Sequence, residues 1–310
     1  MWRTRAERAY VASVTAFARD GRFDPSGQAR HFARLADAGV SAIIGSSGVG
    51  EGYTLDDEER RQLFEVAQRV MGSTGGFVLM GMEARTAEQM IRLCKLAEPY
   101  KPAAVHVYGL EMGHGARATA AEAERFLRDI LGAVEIPCVL CNQPQMNGFE
   151  LPIALLERLV RDHDHIVGVQ DISGDLRYLA AVTAEFGTEL ELLTTLPQAI
   201  GLLGLGGQGF SCSEGNIVPE LCASVVQLFI GGDAAASRTA YQKLLGVNRA
   251  VSDVASSTGP ATKAALRDLG LPGGSGLRAP RLWPSEDDRA QLLAALHSLQ
   301  IAELQRLTPA

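Results

Sequence analysis

Three side chains that can handle a proton or hold a carbonyl stand near the ends of short apolar runs: Tyr108 after Ala103 to Val107, Cys141 after Pro137 to Leu140, and Gln170 after Ile166 to Val169. A thiol, with an ordinary pKa of about 8.5, moves protons or attacks electrophiles when its surroundings lower that value. Left alone in a core it behaves as a small hydrophobe. A phenol at a strand end either donates a proton or packs. The Gln170 amide is neither basic nor nucleophilic, but it donates to and accepts from a carbonyl or carboxylate, which is binding chemistry or oxyanion stabilisation. Asp171 follows it and, by strand alternation, points to the opposite side, a bracing position. His106 shares a run with Tyr108 and reads as a satisfied core histidine or, less simply, as a catalyst.

Residues like these need a scaffold that brings strand ends together. From Tyr10 onward the chain alternates short apolar runs with longer helical patterns, the signature of strand-helix units and a parallel sheet. Strands are expected at Val11 to Phe17, Ser41 to Gly45, Phe77 to Met82, Ala103 to Tyr108, Pro137 to Asn142, the run from Ile166, Leu190 to Thr195 and Gly209 to Ser213. Helices are expected at Ala29 to Ala38, from Asp56, at Ala87 to Leu96 and at Ala120 to Val134, with further helices from Pro219 to Leu307. Eight strands make an α/β fold of the (β/α)8 TIM-barrel type with a C-terminal helical extension, in which loops at the strands' C-terminal ends form the site. The expected organisation is a barrel over 1–218 and helices over 219–310 completing it as one structural unit.

Composition narrows the partners. The 310 residues are 46% hydrophobic and 21% charged, with a formal charge of −7 and no basic stripe, so neither nucleic acid nor an anionic membrane is an expected partner. No apolar run reaches transmembrane length, and a cytoplasmic location is expected. The five cysteines read as reduced. Cys138 and Cys141 form a CxxC along a predicted strand, where residues three apart face opposite ways, so a redox or zinc role is not expected. Glu51, His106 and His114 are scattered and His163-Asp164-His165 precedes a strand; no metal and no cofactor are predicted. The glycines of 204–209 and 270–276 lack phosphate-loop spacing and read as turns.

The run Ile166-Val167-Gly168-Val169-Gln170-Asp171-Ile172-Ser173-Gly174-Asp175 resembles the dihydrodipicolinate synthase and N-acetylneuraminate lyase family, whose consensus there is Val-Gly-Ile-Lys-Glu-Ala-Ser-Gly-Asp. Gly50-Glu51 with Thr54-Leu55, Asn142 with Pro144, and Asn216 with Pro219-Glu220 extend the likeness over nearly the whole chain. The resemblance implies the barrel, a small-molecule substrate and a homo-oligomer, either dimer or tetramer. In the family the lysine forms a Schiff base with a 2-oxo acid; Gln170 stands in its place. Aligned without a gap, the family's Gly-Thr-Thr-Gly-Glu becomes Ser47-Gly48-Val49-Gly50-Glu51; a two-residue insertion would instead lay Ser46-Ser47-Gly48 over the motif and restore hydroxyls. The tyrosine after strand five becomes Cys141. In the ungapped alignment, amine, hydroxyl relay and phenol are all absent from their family positions. None of the chain's lysines, Lys95, Lys101, Lys243 and Lys263, is placed at a strand's C-terminal end.

The expected activity is therefore a divergent lyase or aldolase acting on a small, 2-oxo acid-like carbonyl or carboxylate compound without a Schiff base. Cys141, Tyr108 and Gln170 are its expected catalytic residues. Gly48, Val49, Glu51, Asn142, Asn147 and Ser211 are the expected substrate contacts. The alternative is a catalytically silent member serving as ligand sensor or partner subunit.

Overall fold

The computed structural model describes residues 8–46, 48–72, 77–80, 85–113, 115–254 and 258–307. In chain order the elements are β1 (Arg8–Ala12), α1 (Pro25–Asp37), β2 (Ser41–Ile44), α2 (Asp57–Met71), β3 (Phe77–Met80), α3 (Ala87–Ala97), β4 (Ala104–Tyr108), α4 (Ala120–Leu131), β5 (Cys138–Asn142) and α5 (Pro144–Asn147). They continue with α6 (Ile153–Asp162), β6 (Ile166–Asp171), α7 (Leu176–Phe186), β7 (Glu191–Thr195), α8 (Ala199–Leu205), β8 (Gly209–Cys212), α9 (Pro219–Ile230), α10 (Ala234–Asp253), α11 (Thr258–Asp268), α12 (Glu286–Ser298) and α13 (Ala302–Gln305). Strands and helices alternate along the chain from β1 to β8, the pattern of an α/β fold. Ser47, the end of the expected third strand at Met82, and His114 lie outside the described residues.

Two compact units make up the chain: Val78–Phe210, and Glu7–Phe77 with Ser211–Ala310. In the first, β3 to β7 pair in parallel and α3 to α8 follow their strands. The ladder between β5 and β6 is irregular: Cys138 pairs with Ile166, but Val139 pairs with Gly168, so Val167 is an extra residue. Gly168 is the residue that lets β6 approach β7, because a Cβ there would lie 2.6 Å from the Glu191 carbonyl oxygen.

In the second unit β1 pairs with β2. Strand one was expected over Val11 to Phe17, yet it ends at Ala12 because later backbone donors find side chains instead. The Val14 N–H donates to Asn216 Oδ1 at 3.0 Å and the Ala16 N–H to Gln28 Oε1 at 2.7 Å. Helix α1 begins at Pro25 rather than Ala29, since Asp24 caps it by accepting from the Gly27 N–H at 2.9 Å and proline suits the first helical position. Asn216, fully buried, also donates to the carbonyls of Ala12 and Ser213 and accepts from His31, so one amide joins β1, α1 and the turn after β8.

Candidate active site

Strand register gathers the three expected catalytic residues inside the first unit. Tyr108 on β4 pairs with Cys141 on β5, and Cys141 pairs with Gln170 on β6. Residues in register on parallel strands share a face, so the three form a row across adjacent strands near their C-terminal ends. Cys141 Sγ lies 3.8 Å from Gln170 Oε1 and donates to it. Gln170 is fully buried and Cys141 is 4% exposed. That burial pushes the Cys141 thiol well above its ordinary range, against a smaller opposing effect of the Tyr108 hydroxyl, so the thiol stays protonated at neutral pH.

The opposite face carries a different network. Asn142 Nδ2 donates to Asp171 Oδ1 at 2.7 Å, and Asn142 Oδ1 accepts from the Leu151 N–H at 2.9 Å. Asp171 also accepts from the Ser173 hydroxyl at 2.9 Å, and its carboxyl is pushed up by burial, which these donors only partly offset. Leu151 accepts from the Tyr178 hydroxyl of α7, so this is the face turned to the helices. Both ends of the Asn142 amide are occupied there, away from the row. Asn147 sits against the residue after Tyr108 instead: its Nδ2 would be 2.4 Å from a Cβ on Gly109, so a side chain at 109 would push the Asn147 amide aside.

His106, two residues before Tyr108 and on the same face, was expected to be a satisfied core histidine. It is fully buried, but neither ring nitrogen has a hydrogen-bond partner among the described residues. Burial pulls its pKa down to about 3, and in the second unit burial pulls His31 down to about 4. Both imidazoles are neutral when folded and ordinary when unfolded, with a reference value of 6.5. As pH falls below 6.5 the unfolded chain takes up protons that the folded chain does not, so stability falls with pH down to about 4 and beyond. Glu303, whose carboxyl is pushed up to about 7 by burial, works in the opposite sense over part of this window. Denaturant unfolding at pH 7 and pH 4.5 should show a net loss of about 2 kcal/mol on acidification. His106→Phe should shrink that loss; an equal loss in the variant would remove His106 from the account.

The second unit holds the remaining expected contacts. The loop after β2 is tied by Gly50 N–H to Ser46 Oγ at 2.9 Å and by Thr15 Oγ1 to the Gly50 carbonyl at 2.6 Å. Gly50 tolerates no side chain, with backbone atoms of Ser13 and Ser46 3.0 Å from where its Cβ would be. Gly48 is exposed, whereas the Val49 side chain packs with Val14 and Leu266, leaving its backbone as the polar part. Glu51 adopts a left-handed φ of 51° and is fully buried. Its Oε1 accepts from Lys263 Nζ and its Oε2 from the Arg278 N–H at 3.0 Å. Lys263 Nζ also donates to the Gly276 carbonyl at 3.0 Å and sits 4.4 Å over the Phe17 ring. Burial pulls Lys263 down to about 8 while Glu51 opposes the fall. Ser211, on β8, is 9% exposed.

Lys263 is the functional-looking residue that pattern reading passed over as an ordinary helix lysine. The signal was its setting: Pro260-Ala261-Thr262-Lys263-Ala264-Ala265-Leu266 offers no polar face, and every one of these residues is buried. A lysine there has to find a buried partner.

A sequence model described as the Dihydrodipicolinate synthetase family matches residues 5–299. A 4-hydroxy-tetrahydrodipicolinate synthase from Hyphomonas neptunium is 30% identical over 92% of this chain and 95% of its own length. An uncharacterized DapA-like lyase from Pyrobaculum neutrophilum is 26% identical over 78% of this chain and 79% of its own. The fold matches a dihydrodipicolinate synthase of Acinetobacter baumannii, solved in complex with pyruvate, with a TM-score of 0.85 over 96% of this chain and 100% of that one at 24% identity. No described helix is long and apolar enough to cross a membrane. Agreement of sequence over nearly the full length, on a chain with the same fold, leads to one conclusion: the chain belongs to the Dihydrodipicolinate synthetase family.

Proposed function

We propose that this protein is a lyase- or aldolase-type enzyme on a (β/α)8 barrel with a C-terminal helical extension, acting on a small 2-oxo acid-like carbonyl or carboxylate compound without a Schiff base. The observation that carries this reading is the row Tyr108, Cys141 and Gln170 across β4, β5 and β6, with a neutral amide at the position that the resemblance aligns with the family's lysine. Gln170 donates through its amide to the substrate's carbonyl oxygen. Tyr108 moves the proton, because the Cys141 thiol is held in its protonated form by burial. Asn147 orients the ligand within the first unit, where Asn142 acts through the backbone it holds in place; within the second unit the Gly48 and Val49 backbone and Ser211 are candidate ligand contacts, and Glu51 acts through the loop it holds. Lys263 does not replace the lost amine in this reading: its Nζ is buried and engaged by Glu51 and the Gly276 carbonyl. The protein works as a homo-oligomer, dimer or tetramer, in the cytoplasm.

A second reading, a silent ligand sensor or partner subunit, draws support from the depth of the row, where Gln170 has no exposed surface. One experiment separates Schiff-base chemistry from both. The protein is incubated with pyruvate, reduced with borohydride and weighed by intact mass spectrometry. The wild type is expected to remain unmodified, while Gln170→Lys gains the reduced adduct; an adduct on any lysine of the wild type would overturn the reading. Turnover of any member of a panel of 2-oxo acids, hydroxy acids and aldehydes favours the enzyme, and a thermal shift with no turnover favours the sensor.

A further inference from the structure

Two thiols that play no part in the proposed chemistry touch each other in the second unit. Cys212 ends β8 and Cys222 lies in the first turns of α9, ten residues on, with their Sγ atoms 3.5 Å apart. Both are free thiols, Cys212 at 7% exposure and Cys222 at none. The turn between them packs closely: a Cβ on Gly215 would lie 3.2 Å from Cys222 Sγ and 2.3 Å from the Val11 side chain. A disulfide needs sulfurs about 2.05 Å apart, so closing the pair requires the two Sγ atoms to approach by about 1.5 Å.

We propose that Cys212 and Cys222 form an oxidative modification site that takes a small hydroperoxide and becomes an intramolecular disulfide. The more exposed Cys212 sulfur attacks one oxygen of hydrogen peroxide, the O–O bond breaks, one water leaves and Cys212 carries S–OH. The Cys222 sulfur then attacks the Cys212 sulfur, the S–O bond breaks, and the hydroxyl leaves with the Cys222 proton as a second water. Two thiols thus give up two electrons, the peroxide accepts them, and the S–S bond forms. Contact between the sulfurs makes the second step intramolecular, which lets it outrun further oxidation of Cys212. Burial of both sulfurs slows the first step and makes the site select by size: peroxide enters, glutathione disulfide does not. The closed disulfide ties the end of β8 to α9 across the turn that carries Asn216, the amide that binds β1 and α1.

The test uses the reduced full-length protein with a modest excess of hydrogen peroxide, followed by alkylation in denaturant, digestion and mass spectrometry. The expected product is a cross-linked peptide pair containing Cys212 and Cys222, absent after dithiothreitol, together with a raised melting temperature that the Cys212→Ser, Cys222→Ser double variant does not show. In Cys222→Ser, Cys212 should stop at sulfenic acid and be trapped by dimedone. Glutathione disulfide in place of peroxide should leave both thiols free. Recovery of both thiols unoxidised, oxidation of Cys212 to sulfinic acid with Cys222 intact, or a cross-link that forms only in denaturant would overturn the proposal. Equal cross-linking by glutathione disulfide would overturn its size selection.

Discussion

Lys263→Met is expected to destabilise the protein by about 3–5 kcal/mol, because it removes the ammonium and leaves the Glu51 carboxylate buried with fewer donors. Both side chains have no exposed surface, so water does not compensate as it would at a surface pair. The loss is a large share of the roughly 5–15 kcal/mol that holds a folded domain together. Replacing both partners, as in Lys263→Met with Glu51→Leu, should cost less than the single change, since no charge is then left unpaired. Denaturant midpoints for the two single variants and the double variant give the coupling directly. A single-variant loss below about 1 kcal/mol would mean that the pair behaves as an exposed one. The same pair sets the backbone of the loop after β2: Glu51 stands at a left-handed φ, one residue after the tightly packed Gly50. Loosening it should therefore weaken any ligand oriented by the Gly48 and Val49 backbone as well as the fold.

Tyr108→Phe is expected to lower turnover of the eventual substrate by about a hundredfold to ten-thousandfold, the range for loss of a general acid or base. The ring is retained, so the melting temperature should barely move. Cys141→Ala should reduce turnover far less, because the thiol it removes is held protonated and serves mainly as a donor to Gln170. The pH dependence of turnover should lack a limb belonging to a low-pKa thiol. The reverse ranking, with Cys141→Ala severe and Tyr108→Phe neutral, would assign the proton to the sulfur. Full activity of the double variant would remove the row from catalysis altogether.

Much of this architecture was legible in the chain because strands and helices leave local signatures. The apolar runs ending in Tyr108, Cys141 and Gln170 marked three strands to within a residue or two, and alternation alone separated Gln170 from Asp171. Where local reading fell short, a side chain had captured a backbone group from far along the chain. Strand β1 stops early because Asn216, about two hundred residues away, takes the Val14 N–H. Lys263 read only as a helix lysine away from the strand ends until its partner Glu51, 212 positions away in sequence, was in view.

The residue types of the row were determined by the sequence, including the neutral amide that excludes imine formation at that position. Their meeting was decided by the sheet. A regular ladder from Cys138 and Ile166 would set Cys141 against Val169; the extra residue at Val167 moves the pairing by one and sets it against Gln170. A shift of one residue in register exchanges the faces of a strand, so this single bulge decides whether thiol and amide share a side. The isolated glycine at 168 hints at such a bulge, but register depends on which neighbours β6 meets on either side, and that is settled only when the strands pack.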